Sequence, residues 1–268
     1  NKILNPKMLP KDQVHLTTSY NDRAVQFIEK NRDRPFLLYL PHAMPHVPLF
    51  VRKENEGKSG GGLYGDVIGE IDTGVGRILD TLRRLELEKN TLVIFTSDNG
   101  GQVNVGANNG PPRAGKGTVY EGGIKVPALA SWPGRIAAGS SSKRVSLTMD
   151  ILPTLLEALA VTSDEPFDGV SFLSEQLGKK RSEEKREVYF IRREGGTAYG
   201  GKTIEALRWG NWKLLQNSPF QPLELYNLEA DPLETTDLAR KERGVFRDLS
   251  ARLRRELQRY GTVPWQKP

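Results

Sequence analysis

Three short stretches carry side chains able to do chemistry. Asp98-Asn99-Gly100-Gly101 sets a carboxylate beside an amide oxygen, hard donors of the kind calcium or magnesium takes. Alone, an Asp-Asn-Gly sequence is more often simply a turn. His46 stands in Pro45-His46-Val47-Pro48 and is one of three histidines in the chain. The prolines on both sides are expected to hold its backbone extended. Such a residue can exchange a proton near neutral pH, although a lone loop histidine is also a common structural feature. Lys116 sits between Gly115 and Gly117, where backbone amides and the ammonium can approach one anion together.

Two other stretches imitate known motifs and fail on context. Residues 110–116 nearly spell a phosphate-binding loop, but Gly117 follows where Ser or Thr is needed. No strand is expected before it and no helix start after it, so nucleotide binding is set aside. Ser131-Trp132-Pro133-Gly134-Arg135 has a Ser-x-Pro-x-Arg spacing that could hold a serine nucleophile. It closes a strand and runs into Ile136-Ala137-Ala138-Gly139, with no helix to present the serine.

The elements that position these residues follow from periodicity. Thr18–Arg32 has helical spacing, with Ala24, Val25, Phe27 and Ile28 on one side. Pro35–Leu40 is a short apolar run suited to a buried parallel strand. Across Tyr64–Leu85, Val67, Ile68, Ile71, Val75, Ile78, Leu79 and Leu82 recur at helical intervals, and Thr91–Ser97 reads as a second buried strand. Strand, helix, strand implies a parallel sheet covered by helices, whose ligands gather beyond the carboxyl ends of the strands. The polar clusters His42–His46 and Asp98-Asn99 fall there. Val126–Trp132 is a third strand candidate. Met149–Ala160 is a helix that tolerates Pro153 only near its first turn or at a kink. Beyond residue 185, EVYFIR, EALRWG, NWKLLQ and LELYNL read as an antiparallel sheet. Val245–Tyr260 closes the chain as an amphipathic helix, with Phe246, Leu249, Leu253 and Leu257 inward.

The fold class is therefore α/β: a mostly parallel sheet flanked by helices, plus a small C-terminal antiparallel sheet with a helix. The expected division is 1–160 for the larger layer, 161–185 as linker and 186–268 for the C-terminal α+β subdomain. Hydrophobic residues at 37% and charged residues at 27% describe a globular chain. No apolar run is long enough to span a membrane, and the polar, proline-broken residues 1–13 do not read as a signal peptide. The absence of cysteine excludes disulfides and thiolate metal sites within these residues. The net charge of +6 favours an anionic substrate or surface. Arg240, Lys241, Arg243, Arg247, Arg252, Arg254, Arg255 and Arg259 supply much of it and read as a solvated helix face. Without interleaved aromatics or a known module, no nucleic-acid partner is expected.

Together these segments resemble the arylsulfatase family of the alkaline-phosphatase-like superfamily, C-terminal portion only. The resemblance is carried by RPFLLYLPHAMPHVPLF (34–50), by GLYGDVIGEIDTGVGRILDTLRRLELEKNTLVIFTSDNG (62–100) and by GPPRAGKGTVYEGGIKVPALASWPGRI (110–136). TMDILPTLLEALA, ALRWGNWKLL and LELYNLEADPLETTDLA extend it over nearly the whole chain.

The resemblance implies a hydrolase that cleaves sulfate monoesters with the help of Ca2+. It makes Asp98 and Asn99 metal ligands, Lys116 a residue that contacts the sulfate, and His46 the residue near the leaving-group oxygen. A cation and a lysine neutralise charge on the sulfuryl oxygens while a histidine assists the departing alkoxide. Family members also place an Asp-Asp metal pair and a Cys- or Ser-x-Pro-x-Arg motif, converted to formylglycine, ahead of the region matched here. Neither precedes the first helix, so Asn1 is expected to be internal to a longer protein, the chain inactive alone, and apolar faces left bare. The alternatives are a phosphodiesterase or phosphonate monoester hydrolase on the same fold, and a non-catalytic scaffold. The expected partner is a small-molecule or carbohydrate sulfate ester, in a secreted or periplasmic setting implied by the family. Oligomeric state is not readable.

Overall fold

The computed structural model describes residues 7–179, 185–193 and 202–261; the expectations for residues 1–6 and 180–184 lie outside this range. The chain forms two compact units, each described by itself.

The first unit comprises residues 1–95, 104–107 and 129–140. It contains α1 (Pro10–Gln13), α2 (Leu16–Asn31) and α3 (Gly62–Arg84), with β1 (Val93–Thr96) paired to β2 (Ala128–Ser131) where the chain passes between the units. Apolar spacing makes α2 and α3 amphipathic, and they bury those stripes as expected: Ala24 and Ile28 from α2, Val67, Ile71 and Leu82 from α3. Close approach of the two helices depends on Gly74, because a Cβ there would stand 1.9 Å from Asn21 Nδ2. Met44 and Val51 join Val67 and Ile71 in one cluster, so α3 is the floor on which the 44–51 loop is laid.

The expected strand at Pro35–Leu40 is not formed. These residues have no ladder partner among the described residues, and a strand cannot be completed without one. The period-2 signal is nevertheless visible: Leu37 and Tyr39 are 67% and 82% exposed, while Phe36, Leu38 and Leu40 are half-buried. The expected bare apolar surface is thus present, and Leu129 on β2 adds to it.

The second unit comprises residues 96–103, 108–128 and 141–268. After α4 (Glu121–Ile124) come α5 (Ile151–Ala158), with Pro153 in its first turn, and α6 (Leu173–Gln176). Then β3 (Glu187–Arg193), β4 (Thr203–Trp209), β5 (Trp212–Gln216) and β6 (Glu224–Asn227) form an antiparallel sheet in sequential order, followed by α7 (Arg243–Gly261). Leu207 pairs with Leu214, and Leu214 with Leu225. The three form one buried face, which α7 covers with Leu249 and Leu253. The opposite face carries Ile204, Ala206, Leu215 and Tyr226, packed on Val119 and Tyr120. Alternation along each strand therefore serves two cores, one on each side of the sheet. Within the basic run of α7, Arg252 is a correction to the solvated reading. It turns inward to Glu187 at 2.7 Å and lies over the Trp209 ring at 4.1 Å. Among the described residues no helix is long and apolar enough to cross a membrane.

Asp150 secures the segment that follows α5. Its fully buried carboxylate accepts from Leu147 N, Val170 N and both terminal nitrogens of Arg186. Burial alone would raise its pKa, but Arg186 and the two amides more than offset that and hold it below the usual carboxylate range. A depressed carboxylate stabilises the fold above its unfolded pKa of about 4. That stabilisation is lost as pH falls through the lower folded value. Acid unfolding of the protein is therefore expected to lose part of its steepness below about pH 4 in Asp150→Asn. An unchanged acid profile in that variant would contradict this account.

Candidate active site

β1 delivers the chain to Ser97-Asp98-Asn99-Gly100-Gly101, and hydrogen bonds shape the turn from within. Asp98 Oδ1 accepts from Asn99 N at 2.9 Å, Ser97 Oγ donates to Asn99 O at 3.1 Å, and Asn99 Nδ2 donates to Gly100 O at 3.0 Å. These contacts leave Asp98 Oδ2 and Asn99 Oδ1 without a protein donor among the described residues. The pair thus offers one carboxylate oxygen and one amide oxygen, the donor chemistry of a hard divalent cation. Two ligands are short of the six to eight that calcium takes. Among the described residues no group of three or more His, Cys, Asp or Glu completes the set. The residues fit a share of a calcium site.

Lys116 is brought to the same scaffold by backbone packed on backbone. Gly100 N donates to Gly123 O at 2.9 Å, Lys116 N to Gly101 O at 3.0 Å, and Gly122 N to Arg113 O at 2.9 Å. Asn109 receives Gly101 N at 2.7 Å and donates back to Gly101 O at 3.1 Å. Side chains would not fit: a Cβ on Gly100 would meet Gly122 O at 1.9 Å, and one on Gly123 would meet Thr118 O at 2.2 Å. The glycines of Asp-Asn-Gly-Gly, Gly-Lys-Gly-Thr and Tyr-Glu-Gly-Gly are thus the means by which three loops touch. The Lys116 ammonium has no hydrogen bond or ion pair among the described residues, so it is available to an external anion.

The sheet then clamps this loop with charge. Lys213, fully buried on β5, contacts Glu121 Oε1 and Glu234 Oε1, each at 2.8 Å. Glu234 Oε2 receives Glu121 N at 2.6 Å, and Glu234 O receives Arg113 Nη1 at 2.7 Å. Burial pushes the Glu234 carboxyl upward against the pull of Lys213. Val119 N donates to Asn217 Oδ1 at 2.8 Å. Tyr120 and Tyr226 both donate to Glu224, and burial and that carboxylate raise both phenols.

His46 belongs to the first unit, whereas Asp98, Asn99 and Lys116 belong to the second. Its backbone is not extended as expected: residues 44–48 turn, with cis bonds before Pro45 and Pro48. The restriction that proline imposes falls on the preceding residues, Met44 and Val47, and leaves His46 free to bend. Its exposed ring sets Nδ1 2.7 Å from Val47 O. A carbonyl only accepts, so Nδ1 carries the proton and Nε2 is the nitrogen left for chemistry.

Sequence reasoning missed Arg113, Glu121, Lys213 and Glu234. One signal was present: alternation puts Lys213 on the same strand face as Leu215, and an inward lysine needs a buried counter-charge.

A family model described as Sulfatase matches residues 4–161, and one described as N-sulphoglucosamine sulphohydrolase, C-terminal, matches residues 114–262. The chain is 38% identical over 216 residues to N-acetylgalactosamine-6-sulfatase of Canis lupus familiaris, covering 78% of this chain and 40% of the relative. It is 34% identical over 224 residues to steryl-sulfatase of Mus musculus, covering 78% of this chain and 35% of that protein. The crystal structure of Ps i-CgsB in complex with k-i-k-neocarrahexaose superposes with a TM-score of 0.80 at 29% identity. That match covers 89% of this chain and 54% of that one. The chain thus spans about 40% of the length of such curated relatives, and its α/β fold is the alkaline-phosphatase-like fold of its structural neighbours.

Removing one partner of a buried ion pair strands the other charge and costs about 3–5 kcal/mol. Lys213→Met is therefore expected to lower stability by about that amount in denaturant unfolding. The triple change with Glu121→Gln and Glu234→Gln should recover part of the loss. A triple variant no more stable than Lys213→Met would show that stranded carboxylates are not the cause.

Proposed function

The chain belongs to the sulfatase family, and from that premise we propose that it supplies part of the active site of an enzyme that hydrolyses sulfate monoesters. In this reading residues 1–160 are the C-terminal part of a catalytic α/β domain and residues 186–268 an appended α+β module. The observation that carries the proposal is the glycine-mediated interlock that holds Asp98, Asn99 and Lys116 on one scaffold, with the lysine unpaired.

Each residue then has a task set by its chemistry. Asp98 Oδ2 and Asn99 Oδ1 would supply two ligands of a calcium ion, whose charge would polarise the sulfuryl group. Lys116 places an ammonium beside the sulfuryl oxygens, where negative charge concentrates as the S–O bond breaks. His46, once protonated on both ring nitrogens, gives the Nε2 proton to the ester oxygen as it departs with the bonding electrons, while Val47 O holds the ring through Nδ1–H. The nucleophile, a formylglycine, and the remaining metal ligands come from residues outside this sequence. The substrate class we favour is a sulfated carbohydrate. The support is likeness to N-acetylgalactosamine-6-sulfatase and to Ps i-CgsB in complex with k-i-k-neocarrahexaose.

In the full-length protein, Lys116→Ala is expected to lower kcat/KM on an aryl sulfate by about a hundred- to a thousandfold, as for other donors aimed at developing charge. His46→Ala should penalise poor leaving groups more than p-nitrophenolate, which departs without a proton. Parallel assays on a phosphodiester and a phosphonate monoester decide between this reading and the related hydrolases. Higher kcat/KM on either than on every sulfate ester tried would reject the sulfatase assignment. The 268-residue chain alone is expected to show no turnover.

A further inference from the structure

The side chain of Asn109 joins the two loops that carry Asp98, Asn99 and Lys116. Its Oδ1 accepts from Gly101 N at 2.7 Å, and its Nδ2 donates to Gly101 O at 3.1 Å and to Ala114 O at 3.2 Å. Gly101 lies two residues after Asn99, and Ala114 two residues before Lys116. The partners fix which end of the amide is which, because an N–H must meet its oxygen and a carbonyl its nitrogen. Both N–H bonds of the amide are thereby used within the protein. Gly101 is where this bridge matters, since a glycine has no side chain to restrict its backbone. A single hydrogen bond, from Lys116 N to Gly101 O at 3.0 Å, would act as a pivot. Asn109 adds a second donor to that oxygen and an acceptor for the Gly101 N–H, which sets the orientation of the residue. On the other loop, Ala114 has φ +60°, a conformation that a residue with a Cβ keeps only where its surroundings hold it. The fit between them is close: a Cβ on Gly115 would stand 2.5 Å from Gly101 O and 3.0 Å from Asn109 Nδ2.

From these contacts we infer that Asn109 is a positioning residue, which sets the separation between the Asp98-Asn99 turn and Lys116. In the proposed reaction that separation decides whether the metal ligands and the ammonium bear on the same sulfuryl group. The inference rests on the assignment of Lys116 to the reacting sulfate.

The test uses the full-length protein, an aryl sulfate, and the variants Asn109→Ala, Asn109→Asp, Lys116→Ala and the double change of Asn109→Ala with Lys116→Ala. Asn109→Ala is expected to lower kcat at least about tenfold with KM within about threefold, the pattern of a displaced group that acts in the transition state. Asn109→Asp keeps the shape but sets a charged acceptor against two carbonyls. Above about pH 7, where that carboxyl is ionised, its kcat should fall below that of Asn109→Ala. Calcium affinity in Asn109→Ala should stay within about threefold of wild type, since the three bonds go to Gly101 and Ala114 rather than to the ligand residues. In the Lys116→Ala background, Asn109→Ala should lower kcat by less than about threefold further, because two residues that act through one group are not additive. A smaller loss of kcat in Asn109→Ala, a larger change in KM or calcium affinity, or a larger further loss in the double variant overturns the assignment. So does an Asn109→Asp at least as active as Asn109→Ala, which would show that filled space rather than hydrogen bonding sets the separation. If Asn109→Ala fails to fold, Asn109→Ser takes its place in every comparison, because its shorter side chain cannot reach both loops. Lys116→Ala separates the two levels. Wild-type turnover of the aryl sulfate in that variant removes the underlying site reading and this role with it, whereas impaired turnover with any of the contrary outcomes removes only the role of Asn109.

Discussion

A lysine ammonium buried between two carboxylates holds the second unit together. Lys213 reaches from β5 to Glu121 and Glu234, and no arrangement of the loop that separates these charges avoids leaving one of them dry. Desolvating an ion costs several kcal/mol even after relaxation. The contact therefore favours one position of residues 113–123 chiefly by penalising the others. Glu234 adds geometry to charge, because one carboxylate oxygen takes the lysine and the other takes the backbone N–H of Glu121. Position along the loop and distance from the sheet are fixed by a single side chain.

From that clamp inward, the structure changes from side-chain contacts to backbone contacts. The loop that carries Lys116 meets the Asp98-Asn99 turn through carbonyls and amides, with glycine on both sides. Backbone groups cannot adopt other rotamers, so a site built on them keeps its dimensions as long as the clamp holds. The opposite choice is made at His46, where the ring is exposed and aimed by one carbonyl. In the proposed roles, a group that exchanges protons gains from solvent access, whereas a group that balances charge gains from a rigid mount.

Most of this architecture was legible because it rests on periodicity. The helices at 16–31, 62–84 and 243–261 and the four strands after residue 185 each follow a 3.6- or 2-residue apolar pattern that one element satisfies alone or with its neighbour in sequence. Pro35–Leu40 shows the limit of the method. Its alternation is real, but strand formation is a property of a pair, and its residues have no ladder partner among those described. The proposed site was read from residue type alone, through Asp98, Asn99, Lys116 and His46, and the side chains that support its loop were not read at all. Nothing local marks Glu234, a leucine-flanked acid at φ +55°, as the counter-charge of a lysine on a strand. Long-range electrostatic pairing leaves little trace in a single sequence beyond an inward charge that lacks a local explanation.

The clamp also has a schedule. Glu121 and Glu234 are 113 positions apart, and Glu121 and Lys213 are 92 apart. During synthesis at about 5–20 residues per second, the Lys116 loop emerges roughly 6–23 s before its last anchor exists. Until Lys213 is made, the backbone contacts among residues 100–123 stand without the sheet that later clamps them, and Glu121 has neither of its partners. The chemistry-bearing loop is thus among the earlier parts of this chain to leave the ribosome and among the last to be locked. A chain that ended between residues 123 and 212 would carry every candidate site residue and neither of the side chains that hold Glu121.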